Sequence, residues 1–315
     1  MPKPLLCSPD LLSRDLSGRT YLVTGANSGV GLETTRQLVR QGAHVVMACR
    51  RPDAGNEAAA TMADLKGSTE VLQMDLGSLD SVRNAAATFL ATHDRLDALV
   101  NNAGIMGPPK GTTKDGFETQ FGVNHLGHFL LTELLLDVLK ASAPARIVIL
   151  SSVVHAGGPK SRPAIHFDDL NWDARPYSKT ESYSESKLAN LLYARELAAR
   201  LEGTGVTPVS VHPGWVRSNL AATMMPIWVQ NVLMRPLSGP LTMVSNEEGA
   251  QTSLHCLLDD DVPNHSGAYY SQISILYGDK ECRPGGWPLT SPNPNAHDDA
   301  MASKLTQVSR GLVGL

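Results

Sequence analysis

Tyr183 and Lys187 stand four positions apart in the segment ESYSESKLAN, which has the pattern of an amphipathic helix. Residues i and i+4 lie on one face of an α-helix, so the lysine ammonium can sit near the tyrosine hydroxyl. A neighbouring positive charge lowers the pKa of a phenol, which makes the phenol useful as an acid or base near neutral pH. The same spacing also suits a packed tyrosine beside a solvated lysine, so the pair alone leaves both interpretations open.

A glycine-rich segment, TGANSGVG, extends from Thr24 to Gly31 between a predicted strand and a predicted helix. Gly25, Gly29 and Gly31 would let the backbone turn tightly and approach a pyrophosphate, which the N-terminus of the following helix would stabilise. The spacing is Gly-x-x-x-Gly-x-Gly rather than the general Gly-x-Gly-x-x-Gly, so an ordinary strand-to-helix turn remains an alternative.

The second predicted strand ends in VVMACRR, which carries Arg50 and Arg51 and is followed by no acidic residue before Asp53. In dinucleotide-binding folds an acidic residue at this point accepts a hydrogen bond from the ribose 2′-hydroxyl of NAD, whereas an arginine suits the 2′-phosphate of NADP. We therefore favour NADP(H) over NAD(H) as the cofactor. The alternative is that both arginines are solvated loop charges.

The elements that must position these residues follow from a regular alternation of short apolar runs and longer helical patterns between Arg19 and Gly214. The apolar runs are continuous, which is typical of parallel strands buried on both faces by helices. We predict an α/β fold, a doubly wound parallel sheet with helices on both faces, formed by residues 1–315 as a single domain.

Composition excludes several classes of protein. The net charge is −4 and charged residues make up 18% of the 315 residues, so we expect no nucleic-acid partner. The four cysteines lie far apart without the pairing of zinc sites, and we expect free thiols and no metal site. No segment has the signal-peptide or membrane-spanning pattern, so we expect a cytoplasmic protein without an integral membrane segment.

Five motifs occur in order along the chain: TGANSGVG, NNAG, the serine pair at 151 and 152, YSESK and HPG. Together they resemble the short-chain dehydrogenase/reductase family, over about residues 16–214. The resemblance implies a Rossmann-type fold with seven parallel strands, a bound nicotinamide dinucleotide, and hydride transfer between a carbonyl and an alcohol. It also implies a homodimer or homotetramer.

The resemblance assigns a catalytic role to four residues. Tyr183 matches the general acid/base, and Lys187 the residue that lowers the tyrosine pKa and binds the nicotinamide ribose. Ser152 matches the hydroxyl that orients the substrate carbonyl, and Asn124 the residue that positions the lysine through a water. The matching cofactor-binding residues are Thr24, Gly25, Ser28, Gly29, Val30 and Gly31 for the phosphates, Arg50 for the 2′-phosphate, Asp75 for the adenine, Asn102, Ala103 and Gly104 for the adenine ribose side, and Pro213 and Gly214 beside the nicotinamide.

Within the family, NHLGHFLLT, IHFDDLNW and VHPGWVRSNL are similar to segments of the retinol dehydrogenase-like group, which implies NADP(H) and a small apolar carbonyl or alcohol substrate. Light-dependent protochlorophyllide reductases share NHLGHFLL, but this chain has Ala189 and Trp215 where that family has cysteines. A non-catalytic NADP(H)-binding regulator is a further alternative, although such proteins often lose part of the catalytic set.

Residues 215–245 follow the HPG motif, and in this fold that segment usually covers the substrate. Its methionines and tryptophan would either line an apolar pocket or pack on the sheet; they are Met224, Met225, Trp228 and Met234. His155 is close enough in sequence to Ser152 to reach a substrate, but we expect it to be structural. Residues 281–299 are predicted to be an irregular loop, either at the surface or at a partner contact.

Overall fold

A computed structural model describes residues 3–158, 161–216 and 243–315 of the chain. Its main sheet has seven parallel strands in the order β3-β2-β1-β4-β5-β6-β9. The strands are β1 Thr20–Thr24, β2 His44–Cys49, β3 Ser68–Gln73, β4 Ala98–Asn101, β5 Ala145–Leu150, β6 Val206–His212 and β9 Tyr269–Ser271. A separate pair joins β7 Trp215–Val216 to β8 Met243–Val244. The prediction of a doubly wound parallel sheet of seven strands is confirmed.

Helices cover both faces of this sheet, and successive residues of a strand pack alternately into two separate hydrophobic cores. Leu22 of β1 packs in the core on one face, whereas Tyr21 and Val23 pack in the core on the other. The helices are α1 Pro9–Ser13, α2 Gly29–Arg40, α3 Pro52–Ala60, α4 Leu79–Thr92, α5 Thr119–Phe121, α6 Gly127–Ala141, α7 Lys179–Arg200, α8 Asn246–Leu258 and α9 Asp299–Val313. Burial on both faces explains why the strands are continuous apolar runs in the sequence.

Helix α7 carries Tyr183 and Lys187, and it differs from the amphipathic helix that its sequence indicates. It begins at Lys179, where the Ser178 side chain accepts a hydrogen bond from the backbone N–H of Glu181. Every residue from 182 to 194 is buried, because α9, strands β5 and β6, and the turns that contain Asn124 and follow Ser152 all pack against α7. None of the helices in the described ranges is long and apolar enough to cross a lipid bilayer.

Candidate active site

The carboxyl ends of the parallel strands bring the predicted site residues together along one edge of the sheet. The chain winds from β1 to β3 in one direction and from β4 onward in the other, and such a reversal leaves a crevice at that edge. The predicted residues follow consecutive strands: the glycine loop follows β1, Arg50 follows β2, Asp75 follows β3, Asn102 to Gly104 follow β4, Ser152 follows β5, and Pro213 and Gly214 follow β6.

The glycine loop needs its glycines for two different reasons. Gly25 and Gly29 have φ angles of 64° and 59°, a region that favours glycine. A Cβ on Gly31 would lie 2.4 Å from Asn102 Nδ2 and 2.5 Å from the carbonyl oxygen of Gly25, so this position must be glycine for close packing. The loop therefore keeps its backbone close to the start of α2.

The N-terminus of α2 is suited to an anion. Ser28 precedes the helix in an extended conformation, but its side chain makes no capping hydrogen bond, and the first turn contains no acidic residue. The first N–H groups of a helix have no intrahelical partner and carry the positive end of the helix dipole. These groups fit a phosphate, as the prediction for Ser28, Gly29, Val30 and Gly31 requires.

Thr24 has a different contact from the one predicted. Its side chain is fully buried, and its hydroxyl oxygen accepts hydrogen bonds from the backbone N–H groups of Asn102 and Ala103 at 2.9 and 2.8 Å. Asn102 Nδ2 donates in return to the carbonyl oxygen of Thr24 at 2.8 Å. The Thr24 hydroxyl thus joins the glycine loop to the segment after β4, and its predicted phosphate contact remains a prediction.

Arg50 and Asp75 flank this crevice. Arg50 is exposed and forms no ion pair with any residue in the described ranges, which leaves its guanidinium available to a ligand. Asp75 is half-buried and accepts a hydrogen bond from the N–H of Gly77 at 3.0 Å through one carboxylate oxygen. Gly104 lies beside the predicted catalytic residues, because a Cβ on Gly104 would lie 3.2 Å from Asn124 Oδ1 and 3.5 Å from Lys187 Nζ.

Tyr183, Lys187 and Ser152 meet where α7 crosses the end of β5. The Ser152 hydroxyl lies next to the Tyr183 hydroxyl, and Lys187 Nζ lies 5.6 Å from the centre of the tyrosine ring. Lys187 Nζ also donates to the carbonyl oxygen of Leu150 at 3.1 Å, which anchors the ammonium at the end of the strand. An ammonium has three donors, so two remain for other partners.

Burial dominates the protonation of this pair. It raises the pKa of Tyr183 to about 12, and the hydrogen bond from Ser152 only partly opposes that shift. Burial lowers the pKa of Lys187 to about 8. The phenol is therefore protonated at neutral pH, the form that can donate a proton. The role of Lys187 in lowering the Tyr183 pKa during the reaction remains a prediction.

Asn124 lies in a π-helical turn, Gly122–Leu126, directly before α6. Such turns interrupt α-helices and frequently occur at functional sites. The Asn124 side chain is fully buried: its Oδ1 accepts from the N–H of Ile105 at 2.9 Å, and its Nδ2 donates to Ile105 and to Ser186 Oγ, both at 3.0 Å. The geometry links the turn directly to α7, one residue before Lys187.

Comparisons with known proteins identify the family. Residues 19–164 match the family model described as short chain dehydrogenase. Retinol dehydrogenase 12 of Mus musculus is 46% identical over 270 residues, which cover 85% of this chain and 82% of that protein. The chain belongs to the short-chain dehydrogenase/reductase family. Its predicted resemblance to the retinol dehydrogenase-like group is confirmed, and it is accordingly an oxidoreductase of the hydride-transfer type.

Solved structures give the same family fold. An uncharacterized protein from Mycobacterium paratuberculosis has a TM-score of 0.74 and 36% identity, with 96% of this chain and 95% of that chain covered. A Beutenbergia cavernae protein, provisionally assigned as an NAD(P)-dependent gluconate 5-dehydrogenase, was crystallised with NADP bound at low occupancy. It has a TM-score of 0.65 and 26% identity, with 82% and 96% covered.

Three further buried residues, to which the motifs alone assign no role, support this short-chain dehydrogenase/reductase site. Asn190 Nδ2 donates to the carbonyl oxygens of Asn124 and Leu150, at 3.1 and 2.9 Å. Ser151 Oγ donates to the carbonyl oxygen of Lys187 at 2.7 Å. His128 lies 2.9 Å from Thr24 Oγ1 through Nε2. Asn190, Ser151 and His128 lie within the motifs SKLAN, SS and NHLGHF, so these motifs could have indicated the three residues from the sequence.

Part of the proline-rich tail is buried and supports the turn that follows Ser152, although other residues of the tail are exposed. His155, which is fully buried, contacts the carbonyl oxygen of Ser152 through Nδ1 at 2.5 Å and Ser291 Oγ through Nε2 at 2.8 Å. Asn293 is fully buried too, and its Nδ2 donates to the carbonyl oxygens of His155 and Pro163 at 2.7 and 2.9 Å. Both His155 nitrogens are thus occupied, which agrees with its expected structural role.

Replacing Asn293 with alanine should lower the free energy of unfolding by about 1–3 kcal/mol, because the buried carbonyl of His155 would lose its donor. Urea denaturation followed by circular dichroism measures this loss. Asn295→Ala is the matched control, since Asn295 is half-buried and its acceptor, the Pro163 carbonyl, would keep Asn293 as a donor. Equal losses in the two variants would contradict the role given to Asn293.

The segment predicted to cover the substrate lies mostly outside the described residues, and so do Met224, Met225, Trp228 and Met234. The described ends of the segment are β7 and β8, which pair with each other next to Gly214. Gly214 has a φ of 91°, and a Cβ there would lie 2.9 Å from Val244 Cγ2. The positive φ and this close contact both favour glycine at position 214, and the position of Gly214 beside the nicotinamide remains a prediction.

Proposed function

We propose that the protein is an NADP(H)-dependent oxidoreductase that interconverts a small apolar carbonyl compound and its alcohol. One observation carries this proposal. Ser152, which follows β5, lies next to Tyr183 and Lys187 of α7, at the edge of the sheet where the glycine loop also lies. A non-catalytic regulator would not need all three groups and the support of Asn124, so the complete set favours catalysis.

The residues at this edge fit a nicotinamide dinucleotide. The uncapped start of α2 would hold the phosphates, and Asp75 and the Asn102–Gly104 segment would border the adenosine. Arg50 would hold a 2′-phosphate, and the NADP bound to the B. cavernae relative supports this choice. When bound, the reduced cofactor supplies the hydride.

The chain's own groups control the proton and the developing charge. Hydride arriving at a carbonyl carbon leaves negative charge on the oxygen, which hydrogen-bond donors placed there stabilise. Ser152 would donate a hydrogen bond to that oxygen, and Tyr183 would transfer its proton to it. Because the Tyr183 pKa is raised to about 12, the phenol begins the reductive reaction in the required form. Lys187 would offer its free donors to the cofactor ribose.

The substrate class is proposed from the relatives and from the sequence of the covering segment. The mouse relative is named a retinol dehydrogenase, and a retinoid is a small, largely apolar molecule with one terminal oxygen. Residues 215–245 are rich in methionine, whose flexible side chain adapts to irregular apolar ligands. We therefore propose apolar aldehydes or ketones, retinal among them, rather than charged or sugar substrates.

The test is NADPH oxidation, followed by its absorbance, with a panel of carbonyl compounds. We expect turnover in the dark with retinal or with medium-length aliphatic aldehydes, and little with charged or polyhydroxylated carbonyls of equal size. Retinal and a charged analogue of similar length form the matched pair. Tight NADPH binding without turnover on any member of the panel would contradict the catalytic proposal, and turnover that requires light would indicate photochemistry instead.

A further inference from the structure

Three polar side chains converge at the edge of the sheet opposite the active site. His44 is the first residue of β2, Glu70 lies in β3, and His93 directly follows α4. In the parallel register Ser68 lies beside His44, and Glu70 stands two residues further along β3, on the same face as Ser68. The amino ends of the strands thus carry a cluster that the proposed reaction does not use.

The distances within this cluster match those of a metal site. His93 Nε2 lies 3.3 Å from His44 Nε2 and 3.3 Å from Glu70 Oε2, and His44 Nε2 lies 3.7 Å from the same oxygen. Zinc bonds of roughly 2.0–2.1 Å in a tetrahedral arrangement separate neighbouring ligand atoms by about 3.3 Å. A single ion at the centre of the three atoms would satisfy all of them.

Both imidazole rings are held with the metal-binding nitrogen facing inward. His44 Nδ1 lies 2.8 Å from Ser68 Oγ, and His93 Nδ1 lies 2.8 Å from Thr92 Oγ1. A hydroxyl that accepts from Nδ1–H leaves the lone pair on Nε2, the tautomer that ligates a metal. The His93 ring also stacks on Phe89 at 4.6 Å between ring centres and 7° between planes, which fixes its orientation. These contacts preorganise the rings around one point.

The charge and exposure of the cluster suit a divalent cation that keeps one solvent ligand. The Nε2 atoms of His44 and His93 face each other, and the Glu70 carboxylate adds a negative charge beside them. The side chain of His93 is 14% exposed and that of Glu70 is 43% exposed, so water can reach the centre. Two imidazoles and one carboxylate favour Zn²⁺ or a neighbouring transition metal over Mg²⁺ and Ca²⁺, which prefer oxygen ligands.

We propose that His44, Glu70 and His93 bind one Zn²⁺ ion, with water as the fourth ligand, and that the ion links β2 and β3 to the end of α4. The cluster lies at the amino ends of the strands, whereas the candidate active site lies at their carboxyl ends. The ion would therefore stabilise the fold rather than take part in the reduction.

The experiment uses the full chain without a histidine tag, treated with a chelator, dialysed, and titrated with ZnCl₂ by isothermal calorimetry. We expect one zinc ion per chain, a higher melting temperature in the presence of zinc, and no comparable effect of MgCl₂. His93→Ala and Glu70→Gln should each weaken zinc binding by at least about tenfold. Loss of a residue that only supports a metal ligand lowers metal affinity by about 10–100-fold, and loss of a ligand itself should cost no less. Neither readout depends on catalytic activity.

The matched control is His265→Ala, because His265 also lies beside a carboxylate, with Nε2 3.1 Å from Asp261 Oδ2, but belongs to no group of three possible metal ligands in the described part of the chain. It should bind zinc like the unmodified chain. Circular dichroism checks that each variant is folded; if His93→Ala is not, Glu70→Gln and His44→Ala decide the result. The proposal is overturned by an absence of stoichiometric zinc binding, or by unchanged affinity in any folded variant that lacks one of the three ligands.

Discussion

Tyr183→Phe should lower kcat for carbonyl reduction by about 10²–10⁴-fold, the usual contribution of a positioned general acid. The substitution removes only the hydroxyl that Ser152 contacts and leaves the buried ring in place beside Lys187. NADPH affinity should therefore change little. Steady-state kinetics with the best carbonyl substrate, together with NADPH binding by fluorescence, separate the loss of the proton from a loss of cofactor.

Tyr193→Phe is the matched control for this experiment. Tyr193 is a buried phenol on the same helix, but its hydroxyl donates to Glu133 at 2.8 Å, away from Ser152. Its loss should reduce stability without a comparable loss of kcat. If Tyr183→Phe kept most of the kcat of the unmodified protein while Tyr193→Phe lost most of it, Tyr183 would not be the proton donor.

The sequence was sufficient to predict that the motifs lie near one another, because a parallel sheet places the ends of its strands at one edge. The five ordered motifs each follow a strand or lie on α7, so the topology alone brings them to one edge. The close packing of Gly31 against Asn102 shows the same point in detail, since each residue belongs to a different motif. Prediction worked where local signals and topology agree.

The features that prediction missed depend on contacts between distant parts of the chain. The tail residues Ser291 and Asn293 support the loop after Ser152, yet nothing in a Pro-, Gly- and Asn-rich pattern indicates burial. His44, Glu70 and His93 lack the short spacing by which zinc sites are detected in sequence, because three elements supply one ligand each. Such sets become visible only once the strand register is known.

The protonation of Tyr183 shows why residue spacing does not determine a pKa. The i and i+4 positions place Lys187 on the same face, but the ammonium lies 5.6 Å from the ring centre and donates to Leu150. Burial is the largest influence on the Tyr183 phenol, and it raises the Tyr183 pKa. The sequence indicates which groups are neighbours, whereas the balance between burial and charge requires the packed structure.

Arg50→Asp should weaken NADPH binding by about 10–100-fold or more, because it removes a charge-assisted hydrogen bond worth about 1.5–3 kcal/mol and places a carboxylate near the 2′-phosphate. NADH lacks that phosphate, so its affinity should stay unchanged or improve if the new carboxylate accepts from the ribose 2′-hydroxyl. Fluorescence titration of both dinucleotides measures the ratio of their dissociation constants.

Arg51→Asp is the control that makes this ratio informative. Arg51 is also exposed and adjacent in sequence, and it directly precedes α3, where its side chain makes no capping hydrogen bond. The same change of charge at Arg51 therefore measures the effect of surface charge alone on NADPH binding. We expect Arg51→Asp to reduce NADPH affinity far less than Arg50→Asp does. If Arg50→Asp weakened NADPH and NADH binding equally, Arg50 would not be part of the 2′-phosphate site. If Arg50→Asp and Arg51→Asp weakened NADPH binding equally, the preference for NADPH would come from surface charge rather than from the Arg50 guanidinium.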